Sequence, residues 1–177
     1  MGAFCVHTAG QIPGQIRVME AILETRGLTK QFSQGFFSSQ KTTALDDVSI
    51  VIEPGETVGL VGESGSGKST LALSIARLLR VDSGQIFFDG REITEFSTSK
   101  MRPLRKELQF VFQDPYSSLN PRMSVKGIIS EGIRLHRGLS NKTEIEDEIA
   151  NVLTPLGLDK DSMRKHPKEF SGGQRQR

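Results

Sequence analysis

The chain has 177 residues, of which 36% are hydrophobic and 25% charged, with a formal net charge of +2. That is an ordinary globular composition, long enough for one domain with a real core. It excludes a disulfide-stapled scaffold, since Cys5 is the one cysteine, and a nucleic-acid binder, since no basic stripe is interleaved with aromatics.

Residues 1–20 read as a flexible leader: Gly2, Gly10, Pro13 and Gly14 fall without periodicity. The leader lacks the basic start and long apolar core of a signal peptide. Val6 stands where N-myristoylation needs Ser or Thr. Met19 directly precedes the ordered-looking "AILETRGLTKQF" and is read as an alternative start. "AILETRGL" and "SIVIE" have the branched, partly alternating composition of strands. "SQGFFSSQKTT" between them reads as a loop. Its Phe36 and Phe37 either tuck back onto the local hairpin or touch a partner. Pro54-Gly55 marks a turn, and "ETVGLVG" follows as a short buried strand.

Leu71, Ile75, Leu78 and Leu79 fall at helical spacing and predict a helix over 67–79. Ala72, Leu73 and Ala76 widen its apolar face, so it is expected to pack on more than one side. In "QIFFDGREI", Asp89-Gly90 suits a two-residue type I′ hairpin turn. "LQFVFQDP" reads as another short buried strand, ended by Pro115. Val125, Ile128, Ile129 and Ile133 give a helical stripe behind Ser124, a candidate N-cap. Thr143 and Glu146 read as a capping box. Behind them Ile145, Ile149, Val152, Leu153 and Leu156 form a second stripe, stopped by Gly157. Pro155 is expected to distort the last turn. The order is an α/β protein with a helical appendage, and no apolar run approaches the ~20 residues that span a bilayer.

"GESGSGKST", Gly62 to Thr70, fits G-x-x-x-x-G-K-[ST], with a strand before it and a helix after it. The chemistry needs these residue types. The glycines let successive N–H groups turn into one concavity, and the helix N-terminus adds partial positive charge. Lys68 can reach β- and γ-phosphates, and Ser69 can place its hydroxyl on Mg²⁺. A phosphate-cleaving enzyme also needs an apolar strand ending in a carboxylate. "QIFFDG" and "FVFQDP" both imitate one through Asp89 and Asp114, and neither has a Glu beside the Asp. The residues therefore support Mg-nucleotide binding and stop short of hydrolysis.

Together, "LTKQF", "GESGSGKST", "FVFQDPYSSLNPRMSV" and "HPKEFSGGQRQR" resemble the A-loop segment, Walker A motif, Q-loop and signature motif of ABC transporter ATPases. The "FQDP…SLNPR" wording resembles the oligopeptide, dipeptide and nickel importers among them. The resemblance runs from about residue 22 to the end. It implies a P-loop NTPase (RecA-like) core over 21–113 with an N-terminal antiparallel β subdomain. It further implies a helical subdomain over 114–170, and the signature with the start of a helix over 171–177.

By that resemblance Phe32 stacks on adenine, where a tyrosine or tryptophan is more usual. Gly62, Glu63, Ser64, Gly65, Ser66, Gly67, Lys68, Ser69 and Thr70 hold the phosphates of ATP. Ser69 and Gln113 touch Mg²⁺, and Gln113 positions the attacking water. Ser171, Gly172, Gly173 and Gln174 cap ATP held by a second ABC ATPase subunit, identical or homologous. The other implied partners are membrane permease subunits, on the cytoplasmic face of the cell membrane. In the family the Walker B strand, catalytic glutamate, D-loop and switch histidine follow the signature. The 177 residues are therefore read as an N-terminal portion that binds ATP without hydrolysing it. The other readings are a regulatory nucleotide-binding fragment and a non-transport ABC protein, such as an accessory of phosphonate metabolism. A simple P-loop kinase would have no use for the signature stretch.

Overall fold

The computed structural model describes residues 5–8, 21–33, 41–114 and 118–177, with side chains from residue 21 onward. The chain divides into two compact units between Gln109 and Phe110. Of the leader, Cys5–Thr8 forms strand β1. The rest of the leader, Met19, Phe36 and Phe37 lie outside the described residues.

The first unit is built on an antiparallel sheet of β2 (Leu23–Ser33), β3 (Lys41–Ile52), β5 (Ser83–Phe88) and β6 (Arg91–Glu92), in the order β3-β2-β5-β6. β4 (Val58–Val61) pairs separately, antiparallel to β1. The two long strands exceed the sequence expectation, because "KTTAL" continues the pairing up to Ser33↔Lys41. Alternation accounts for the core: Leu23, Leu28, Leu45, Ile50, Ile86 and Phe88 turn inward. Two buried threonines replace missing ladder bonds. Thr25 Oγ1 accepts from the Ile50 N–H at 3.0 Å, and Thr94 Oγ1 accepts from the Ile86 N–H at 2.8 Å. The β5–β6 hairpin turns as expected, with φ 49° at Asp89 and 70° at Gly90, the two positive values of a type I′ turn.

Three expectations for this unit are corrected. β4 is half-covered rather than buried: Leu60 packs on the core while Val61 is 68% exposed. Among the described residues only β1 runs beside β4. The helix over 67–79 is shorter: α1 spans Lys68–Ile75. It ends in a Schellman motif, with the Arg77 N–H donating to the Ser74 carbonyl and the Leu78 N–H to the Leu73 carbonyl, both at 2.9 Å. Leu78 consequently lies past the helix and half exposed, and α1 buries one side only, through Leu71 and Ser74. A further helix, α2 (Thr98–Leu104), starts at the N-cap Ser97 and carries Pro103. Sequence reasoning passed over it because its apolar stripe is only Met101 and Leu104.

In the second unit α3 (Val125–Arg137) and α4 (Lys142–Leu153) pack through Ile133, Ile145, Ile149 and Leu153, with Met163 from a 3-10 turn. Ser124 caps α3 as expected, its Oγ accepting from the Gly127 N–H at 3.3 Å. The capping box at Thr143 is corrected. Asn141 is the N-cap of α4, its Oδ1 accepting from the Thr143 N–H at 2.9 Å. Asn caps at least as well as Thr, and Glu146 is taken by an ion pair with Lys126 across the helix pair. Pro155 distorts the end of α4 into a 3-10 turn closed by Gly157 at φ 70°, as its position predicts.

The "LQFVFQDP" expectation is also overturned. Residues 108–114 form no strand, and Val111 is 91% exposed. Phe110 and Phe112 meet edge to face at 4.9 Å instead. A buried strand must have its N–H and C=O groups paired on both edges, and no described strand lies alongside.

Candidate functional site

The loop after β4 is shaped by two left-handed glycines. Gly65 has φ 84°, and Gly67, the N-cap of α1, has φ 94°. These conformations are cheap only without a Cβ. They let the chain double back so that the side chain of Lys68 folds over its own loop. Its ammonium donates to the carbonyl oxygens of Gly62 at 2.8 Å and Glu63 at 2.6 Å, and to Ser66 Oγ at 3.2 Å. The Ser66 N–H closes the turn onto the Glu63 carbonyl at 3.2 Å. At Gly62 a Cβ would lie 2.8 Å from Ser66 Oγ, so a side chain there would have to turn the Ser66 hydroxyl aside.

The N–H groups of Gly65, Gly67, Lys68, Ser69 and Thr70 donate to no acceptor among the described residues. The first inward helical bond is Leu71 N–H to Gly67 C=O, at 2.8 Å. Five free donors at a helix start, beside a lysine, form an anion cradle. Ser64 and Ser69 are exposed at its mouth. Among the described residues no group of three His, Cys, Asp or Glu converges as a metal site. The side-chain oxygens of the loop after Glu63 are the hydroxyls of Ser64, Ser66, Ser69 and Thr70.

Phe32 lies near the end of β2, past the last β5 pair, and the residue is 41% exposed. Lys30 Nζ sits 5.6 Å from the ring centroid. Asp82 holds that lysine: its Oδ1 accepts from Lys30 Nζ at 2.8 Å, and its Oδ2 accepts from the Gln31 N–H at 2.6 Å. These two bonds, the Lys30 one first, keep the Asp82 carboxyl below its ordinary pKa. Sequence reasoning missed the pairing of Lys30 with Asp82, because 52 residues separate them and no local pattern links them.

Gln113 and the Ser-Gly-Gly stretch belong to the second unit. Gln113 is exposed on a bend. Ser171 caps α5 (Gly172–Gln176) through a reciprocal box. Its Oγ accepts from the Gln174 N–H at 3.3 Å, and its own N–H donates to Gln174 Oε1 at 3.0 Å. A Cβ at Gly173 would meet nothing within 4 Å, so its backbone is open to approach. Phe170 anchors the turn in the apolar interior, and Arg175 Nε donates to the Phe170 carbonyl at 3.1 Å.

Several known proteins are similar to this chain. The oligopeptide transport ATP-binding protein OppF of Streptococcus mutans is 41% identical over 156 residues, covering 88% of this chain and 50% of that protein. The peptidoglycan transport ATP-binding protein YejF of Agrobacterium fabrum is 49% identical over 134 residues, covering 76% of this chain and 24% of that protein. The chain therefore spans half or less of the length of these relatives. A dimeric ATP-binding cassette solved with ADP and Pi, MJ0796, matches the fold with a TM-score of 0.71 over 86% of this chain and 65% of that one, at 23% identity. The ABC transporter family model matches residues 45–177, from inside β3 through the phosphate loop to the Ser-Gly-Gly helix, and the chain belongs to the ABC transporter family.

Proposed function

We propose that this chain carries the ATP-binding part of an ABC importer subunit for peptides or similar solutes. The observation that carries the reading is the loop of Gly62 to Thr70, with five free N–H donors and the ammonium of Lys68 gathered at one helix start. An ATP triphosphate fits that cradle. Its terminal phosphates would take Lys68 from the Gly62 and Glu63 carbonyls, and Ser69 would hold the accompanying Mg²⁺. Phe32 would offer its exposed ring face to adenine. Bound Mg-ATP supplies the phosphoanhydride whose cleavage would drive transport.

Gln113 would touch the cation and position the attacking water. Ser171, Gly172, Gly173 and Gln174 would meet ATP held by a second ABC ATPase subunit. Membrane permease subunits would be the further partners, and the site of action the cytoplasmic face of the membrane. Among the described residues no helix is long and apolar enough to cross a membrane, so attachment would come through those permeases. Asp89 is not the carboxylate of a hydrolytic site, because it occupies the left-handed turn of the β5–β6 hairpin.

The test is a calorimetric titration with Mg-ATP. The wild-type chain is expected to bind, and Lys68→Ala to weaken binding about tenfold or more, the loss of one charge-assisted contact to phosphate. Equal affinities would overturn the reading.

A further inference from the structure

A second group of cations gathers away from the phosphate loop, at the other end of α1. Arg77, Arg80, Arg102 and Arg105 line one cavity of about 560 Å³, with the hydroxyls of Thr98 and Ser99. The volume falls within the range of small-molecule sites. Four guanidiniums around one concavity repel one another unless an anion joins them. Among the described residues none of the four has a carboxylate within ion-pair distance.

The four are not alike. Arg105 is structural: its guanidinium donates to the Ala76 carbonyl and, at 3.3 Å, to the Arg77 carbonyl, so it is locked onto the C-terminal end of α1. Arg77 is held at some expense. It occupies the left-handed C′ position of the Schellman motif, φ 53°, where glycine is the usual choice. Its Nε is buried without a hydrogen-bond partner. Burial depresses its pKa; Glu95 acts in the opposite direction, while Arg80 and Arg105 depress it further. Arg80 and Arg102 are exposed at the rim, with their donors free to turn inward.

We propose that this cavity binds a small polyvalent anion of the phosphate class, such as a pyrophosphate or phosphate ester, at a site separate from the nucleotide loop. Such a ligand would relieve the repulsion among the cations. Guanidinium forks match phosphate oxygens in pairs. A lipid surface would call instead for an exposed polybasic segment, whereas these arginines close on a hollow.

The test uses the full chain carrying Lys68→Ala, which weakens anion binding at the glycine-rich loop, and inorganic pyrophosphate as the probe in a calorimetric titration at low salt. Binding is expected, and adding Arg80→Gln and Arg102→Gln should weaken it about tenfold or more, as each removes a charge-assisted contact. Both positions are exposed, so these changes leave the core packing intact. Restoring charge with Arg80→Lys and Arg102→Lys should recover part of the affinity. Mg-ATP binding by a chain with Lys68 intact should be unaffected by the two Gln substitutions. Absence of pyrophosphate binding, or equal binding with and without the arginines, would overturn the site. Neither result would touch the reading of the nucleotide loop, which stands or falls on Lys68.

Discussion

The ammonium of Lys68 donates to the carbonyl oxygen of Gly62, six residues back along the chain, at 2.8 Å. The lysine thus braces the loop that it would share with a phosphate. It holds its position through three acceptors at the loop's own start and middle. A phosphate entering the cradle would exchange weak neutral acceptors for a charged one, a stronger partner for an ammonium.

The close packing of Gly62 on Ser66 makes a separable prediction. Gly62→Ala places a Cβ 2.8 Å from Ser66 Oγ, so it should weaken Mg-ATP binding severalfold by pushing the loop open. Ser66→Ala alone should change affinity by about twofold or less, since Lys68 retains two carbonyl acceptors. The double variant should recover most of the loss. If it binds as poorly as Gly62→Ala, the steric account is wrong.

At Phe32 the ring is exposed enough that its loss should separate binding from folding. Phe32→Ala should weaken Mg-ATP binding by about threefold to tenfold, the value of one aromatic stack. The urea midpoint should scarcely move. Phe32→Tyr should retain affinity. A large drop in stability with unchanged binding would return Phe32 to the core.

Asp82 gives the first unit an acid-sensitive tie. Its folded pKa is depressed, chiefly by the Lys30 hydrogen bond. Its contribution is therefore present above the ordinary carboxylate value of about 4 and is lost as pH falls through the lower folded value. Urea midpoints at about pH 6 and about pH 3 should fall further apart in the wild type than in Asp82→Asn. Glu24, Glu146, Asp159 and Glu169 are also depressed, so the variant keeps part of the acid sensitivity. An identical difference in both chains would remove Asp82 from the account.

Gly84 tests the β2–β5 junction. It has φ 96°, and a Cβ there would lie 2.5 Å from the Gly27 carbonyl oxygen and 2.7 Å from that of Arg26. Backbone cannot step aside as a flexible side chain can. Gly84→Ala should cost about 2–4 kcal/mol in chemical denaturation, combining strain with overpacking. A shift below about 0.5 kcal/mol, the range of neutral surface changes, would contradict this register.

The shape of the glycine-rich loop was legible in the sequence because it is decided locally. Gly62 to Thr70 combine glycines and hydroxyl residues with one lysine whatever surrounds them, and the strand and helix on either side are short-range patterns. The Asp89-Gly90 turn, the Ser124 cap and the Pro155 distortion were legible for the same reason: each is decided within a few residues. Tertiary structure decided the rest. Burial of β4 and of "LQFVFQDP" depends on which strands lie alongside, and an apolar run carries no record of its neighbours. The end of α1 was set by a left-handed Arg77, which apolar spacing cannot register. Asn141 displaced Thr143 as the cap once Glu146 was drawn to Lys126. The brace of Asp82 on Lys30 beneath Phe32, and the four arginines around one hollow, join residues far apart in the chain. Such contacts exist only when the sheet and helices bring them together, because long-range pairing is specified by packing and not by any local pattern.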